Sequence, residues 1–215
     1  MIVPWYIIIL NCLELAACIT GCLYWSKIRE TYWKWFPIYL GLILITELTA
    51  EYFLFARHDL KTNGDIYWYF GLPLELLFLF WLFYQYAKPR KWPLILAAIY
   101  VAGWILDQVY FSHLKLFFDS FSYTIGNALL LICLFVFFIR FSNSNEILNY
   151  RKSMFFWVAL GLLIFYVGTF PFYGMRTTLW KDYRSLFWVY YYISFFLNYC
   201  MYSLFMIAFI WGRPK

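Results

Sequence analysis

The sequence predicts an all-α, polytopic membrane protein of seven transmembrane helices, with the N-terminus outside and the C-terminus inside. Three observations carry that expectation. Of the 215 residues, 65% are hydrophobic and 13% charged, against roughly 25% charged in a soluble globular chain. Aromatic residues make up 27%. The apolar residues also fall into seven blocks, each close to the roughly 20 residues a helix needs to cross hydrocarbon. These blocks use residues 1–215 as a single seven-helix transmembrane domain. No stretch of even about 50 residues is left over for a soluble domain.

The first block is Val3–Trp25. No basic residue precedes it, the first being Lys27, so it reads as a retained helix and not as a cleaved signal. It carries Asn11, Glu14 and Cys18, with Ala17 and Gly21 placing small residues on one face. The second block, Phe36–Ala56, holds Glu47 and Glu51 four residues apart, hence on one helix face. The third, Ile66–Ala87, has Pro73 near its start and Glu75 near its middle. The fourth, Trp92–Phe111, is the shortest, and Asp107 and Gln108 dilute its end.

The fifth block, Phe118–Phe141, puts Tyr123 and Asn127 on one face. The sixth, Met154–Met175, contains Gly161, Gly168 and Pro171. The seventh, Leu186–Trp211, carries Ser194, Asn198 and Tyr202 as a stripe four residues apart. Pro73 and Pro171 are expected to kink their helices. Short connections predict that successive helices are neighbours.

Orientation follows from the basic residues. With the N-terminus outside, eleven of the 17 Lys and Arg fall in inner segments, which is the favoured sense. The net charge of +6 is thus an orientation signal, and no nucleic-acid partner is expected. The five cysteines all lie in apolar blocks, so neither a disulfide framework nor a zinc site is predicted. The expected location is a bacterial inner membrane, multi-pass, with the lipid bilayer as the first partner.

Polar residues recur at one depth. Glu14, Glu47, Glu75, Asn127 and Asn198 fall near the middle of their blocks, and Glu51 and Asp107 lie one to two turns nearer the outside. No Lys or Arg lies at that depth. Charged groups in hydrocarbon are costly and face a protein interior or a wet cavity. Five carboxyls without an internal counter-charge have two physical solutions: protonation and hydrogen bonding, or a bound cation. These seven residues are the candidate ligand- or cation-binding set, around an acidic cavity expected to open outward. The alternative for each is interhelical hydrogen bonding alone.

Block seven has no Lys, which excludes a retinal Schiff base of the usual kind, and no P-loop, GxSxG or HExxH pattern occurs. The two histidines, His58 and His113, fall at outer helix ends and are weak metal candidates with Glu51 and Asp107. No metal, cofactor or catalytic residue is assigned.

Two stretches, Phe155–Phe170 and Leu197–Trp211, together with Pro73-Leu-Glu75, resemble a group of small seven-helix membrane proteins of Bacteroidota. That resemblance implies location and topology, and no chemistry. The segment Phe70–Phe80, with Pro73 and Glu75, is similar to the acid-bearing segment of the small membrane lycopene cyclases, though Leu76 stands where a second acid would be. It implies acids that protonate a polyene.

The expected function is a sensor or receptor-like subunit, and whether the chain is also an enzyme is left open. Its basic inner segments Ser26–Trp35, Lys88–Lys91 and Phe141–Ser153 would dock a cytoplasmic signalling partner, or the chain would form a homo-oligomer. The alternatives are a small proton- or cation-coupled transporter, and an isoprenoid- or lipid-modifying enzyme using Glu75 and Glu47.

Overall fold

The computed structural model describes residues 3–87, 91–111 and 121–214. The described secondary structure is helical, apart from one isolated bridge between Ser153 and Arg213. Seven helices are long and apolar enough to cross a membrane: Trp5–Leu23, Tyr32–Ala56, Leu60–Tyr86, Lys91–Val109, Ser122–Ser142, Met154–Gly174 and Arg184–Trp211. Their outer faces carry exposed Ile45, Ile95, Ile139 and Phe196. A water-soluble monomer rarely leaves so much apolar surface uncovered.

In chain order the α-helices are α1 (Trp5–Leu23), α2 (Trp25–Ile28), α3 (Trp35–Glu51), α4 (Leu60–Ile66), α5 (Leu72–Tyr86), α6 (Lys91–Leu106), α7 (Phe121–Ser142), α8 (Met154–Gly174), α9 (Arg176–Asp182) and α10 (Arg184–Trp211). Wide π-helical turns follow α3 at Tyr52–Ala56, precede α5 at Tyr67–Gly71 and follow α6 at Asp107–Phe111. The Tyr67–Gly71 turn ends two residues before Pro73, which has no N–H for the preceding turn. By contrast, α8 runs through Pro171 to Gly174.

Several boundaries differ from the sequence expectation. The third span begins at Leu60 and not Ile66, because Asp59 caps it. The Asp59 carboxylate accepts from the Thr62 backbone N–H at 3.0 Å and from the Thr62 hydroxyl. These bonds hold the Asp59 carboxyl below its usual range. The second span starts at Tyr32, with Thr31 capping a short 3₁₀ turn over Tyr32–Lys34. The segment Asn145–Lys152 is a 3₁₀ stretch and Arg176–Asp182 is a short helix, both expected as loops.

The chain forms two compact units: Met1–Phe78 with Asn149–Gly161 and Met201–Lys215, and Leu79–Leu148 with Leu162–Cys200. In the first unit, α1 and α3 run antiparallel in close contact. A Cβ added at Gly21 would lie 2.6 Å from Pro37 Cγ and 2.8 Å from Phe209 Cζ, so the small residue sets the approach. Next to this contact is an aromatic layer. Tyr39 stacks on Phe78 with centroids 4.1 Å apart, and Phe36 meets Trp33, Phe205 and Phe209.

In the second unit, α6 packs on α7, with Gly103 against Ile125. Phe137 meets Phe83 and Tyr86. A separate apolar cluster gathers Phe172, Leu179 and Phe187, with Arg184 over the Trp180 ring at 4.6 Å.

Candidate acidic site

The antiparallel register of α1 and α3 brings their polar residues into rungs. On the first rung, Asn11 Nδ2 donates to both carboxylate oxygens of Glu51, at 3.0 and 2.8 Å. One turn along, Glu14 lies within electrostatic range of Glu47, Glu51 and Glu75. Further on, Cys18 Sγ approaches the Pro37 carbonyl oxygen at 3.5 Å, ahead of the Gly21 contact. The first two rungs lie one turn apart on each helix, so the polar side chains align by periodicity once the small-residue contact sets the register.

Glu47 accepts a hydrogen bond from the Tyr67 hydroxyl. Tyr67 opens the second π-helical turn, and Glu51 immediately precedes the first. Such turns widen the helix and are frequent at functional sites. Nearby, Asn63 Nδ2 donates to the Ala50 carbonyl at 2.8 Å, tying α4 back to α3.

Glu14 is 2% exposed. The Tyr202 hydroxyl of α10 faces its carboxyl. Glu14 Oε2 nevertheless has no hydrogen-bond partner among the described residues, and neither has Asn11 Oδ1 beside it. The partners given to Glu47 and Glu51 are neutral, a phenol and an amide. Glu75 is half-buried and within electrostatic range of Glu14 and Glu47.

Four of the seven candidates therefore belong to the first unit: Glu14, Glu47, Glu51 and Glu75. Asp107, Asn127 and Asn198 belong to the second. Asp107 has a local structural role, since Oδ2 accepts from the Ser122 backbone N–H at 2.9 Å in the first turn of α7. Asn127 is fully buried, and neither side-chain polar atom has a hydrogen-bond partner among the described residues. Asn198 is half-buried on α10. In its stripe, Ser194 donates back to the Tyr191 carbonyl, while Tyr202 reaches Glu14.

His58 is exposed and adopts a left-handed backbone, φ 56°, at the reversal before α4. His113 lies outside the described residues. Among the described residues no group of three His, Cys, Asp or Glu side chains is placed to hold a metal ion. One or two of these carboxylates can hold a proton or a single cationic group, with Asn11 Oδ1 as a further acceptor.

Sequence reasoning missed Tyr67, which lies 20 residues from Glu47 and shares no helix face with it. No local signal marks that pairing. Asn11 was visible only as a neighbour of Glu14, and its bond to Glu51 requires the α1–α3 register. No family model, curated protein or solved structure matches this chain.

Proposed function

We propose that the chain is a multi-pass protein of a bacterial inner membrane, N-terminus outside, that binds a proton or compact cation at Glu14. It then serves as a sensor or receptor-like subunit. The observation that carries this is Glu14 Oε2, a buried carboxylate oxygen without a partner among the described residues, beside three more carboxyls. A buried unsatisfied acceptor costs about 1–3 kcal/mol, more when charged. Like charges in a poorly polarisable interior add to that cost. A proton or cation on this oxygen removes both.

Binding, as opposed to passage, is supported by the close packing that succeeds the rungs along α1. Beyond Glu14, Gly21 sits tight against Pro37, and Tyr39 stacks on Phe78. The signal leaves through the basic segments Ser26–Trp35 and Phe141–Ser153, where a cytoplasmic partner docks. A second reading, proton- or cation-coupled transport, is supported by the rungs themselves. Asn11–Glu51, Glu47–Tyr67 and Glu14–Tyr202 form a series of exchangeable groups along the helices.

Proteoliposome flux and thermal stability separate the two. The sensor reading expects sodium, potassium or ammonium to raise the melting temperature of wild type by several degrees. It expects no such rise in Glu14→Gln, and no flux in either. Proton or cation flux in wild type that disappears in Glu47→Gln would overturn the sensor and establish transport.

A further inference from the structure

Away from the acids, beyond the end of α1, the first unit carries a groove of about 530 Å³ lined by Lys27, Arg151, Lys152, Ile210, Trp211 and Arg213. Four of these are cations, and among the described residues no acid lines it. Backbone contacts hold it together. Lys27 Nζ donates to the carbonyls of Phe209 and Ile210 at 2.9 and 3.2 Å, capping the end of α10. The chain then turns at Gly212, and the Arg213 N–H donates to the Lys152 carbonyl at 2.7 Å. This makes the Ser153–Arg213 bridge and brings Arg151 and Lys152 beside Arg213. A Cβ on Gly212 would lie 2.6 Å from Met154 Cα, so the pairing needs glycine there.

The cations press on one another. Burial, and then the Arg213 guanidinium, hold the Lys27 ammonium below its ordinary range. Arg151, Lys152 and Arg213 are exposed, and none of them has an acidic partner among the described residues. The groove's other wall is apolar and open: Trp211 is 60% exposed and Ile210 44%. Trp211 packs edge-on against Trp157, which leaves a tryptophan pair at the helix end, where membrane proteins meet headgroups. A cationic rim beside an exposed apolar wall suits an amphiphile with a negative head.

We infer that this groove binds an anionic phospholipid, its phosphate on Arg151, Lys152 and Arg213 and its acyl chain along Ile210 and Trp211. The inference rests on the membrane location and is independent of the acidic site, whose variants leave the groove intact. Basic pockets at helix ends recognise anionic lipid through roughly additive charge contributions.

The test is native mass spectrometry of the full chain from nanodiscs of phosphatidylglycerol mixed with phosphatidylcholine. Wild type is expected to retain phosphatidylglycerol selectively. Lys152→Gln/Arg213→Gln is expected to weaken that retention roughly thirtyfold, and Lys152→Gln alone, at an exposed side chain, about fivefold. Arg29→Gln/Lys34→Gln removes the same charge outside the groove and is expected to retain the lipid as wild type does. Equal retention of the two lipids, or equal loss in the Arg29/Lys34 variant, would overturn the groove. Displacement of the lipid by millimolar inorganic phosphate would overturn the lipid as ligand and assign the rim to a free phosphate.

Discussion

Asn11 on α1 donates through one amide nitrogen to both carboxylate oxygens of Glu51 on α3, at 3.0 and 2.8 Å. The two residues are 40 positions apart in the chain. The bond clamps the N-terminal end of one spanning helix to the C-terminal end of the next. Asn11→Leu removes the donor and leaves the half-buried carboxylate to its remaining neighbours. The expected loss is about 1 kcal/mol, the scale of a hydrogen bond between membrane helices. A double-mutant cycle with Glu51→Gln, read by unfolding in detergent, is expected to show coupling of the same size. Strict additivity would dissolve the rung.

The Tyr67–Glu47 bond joins the second π-helical turn to α3. Tyr67→Phe deletes only the hydroxyl and leaves the ring packing in place. A loss of about 1–2 kcal/mol is expected, because the acceptor is a carboxyl in a poorly hydrated site. With Glu47→Gln already present, the same change is expected to cost less. Hydrogen exchange should also rise at Tyr67–Gly71 in Tyr67→Phe, since the bond anchors that turn.

Gly21 and Gly168 make a controlled pair. An alanine usually gains about 1 kcal/mol over glycine within a helix. At Gly21 the added methyl meets the Pro37 ring at 2.6 Å, a rigid obstacle. At Gly168 it meets Leu197 Cδ1 at 2.5 Å, the movable end of a flexible side chain. Gly21→Ala is expected to destabilise by about 1–3 kcal/mol, whereas Gly168→Ala is expected near neutral. Thermal unfolding of the two variants side by side gives the comparison.

Asp59 predicts an acid-dependent term. Its folded-state carboxyl is held below the ordinary value of 3.8 by the Thr62 hydroxyl and backbone N–H. A lowered folded value means that its stabilisation is fully present above the unfolded value and lost as the pH falls through the folded one. Asn at this position still caps a helix but does not titrate. The melting temperature of wild type minus that of Asp59→Asn is therefore expected to be flat from neutral pH down to about 4 and to fall below it. A difference that grew on acidification would contradict the assignment.

Asn127 supplies a test of opposite sign. Its amide is fully buried without a hydrogen-bond partner among the described residues. Replacing an unsatisfied polar group by an apolar one of similar size relieves a desolvation cost. Asn127→Leu is expected to leave the melting temperature unchanged or to raise it. A fall equivalent to about 1 kcal/mol or more would show that the amide is hydrogen-bonded between helices or to a bound molecule.

Much of the architecture is legible in the amino-acid sequence itself. Hydropathy is a local property summed over about 20 residues, so the seven spans follow from the chain alone. The i,i+4 spacing puts Glu47 and Glu51 on one face, and the small residue Gly21 marks a close contact that the structure bears out. The start of the third span also had a local signal. Asp59-Leu-Lys-Thr62 is a capping sequence and places the first helical residue at Leu60.

What only the tertiary structure decided is which polar group meets which. Glu51 pairs with Asn11, Glu47 with Tyr67 and Asp107 with the Ser122 backbone. Arg213 comes to Lys152 through a backbone bridge at Gly212. Depth along a span places a residue in a layer but leaves its azimuth and its partner helix open. Those are set by register, which depends on close contacts such as Gly21 with Pro37, and by π-helical turns that rotate the residues after them. A one-residue shift on a helix turns a side chain by about 100°, enough to separate every pair named here. The acids are therefore readable as a layer in the sequence, and become a site only once α1 and α3 are packed.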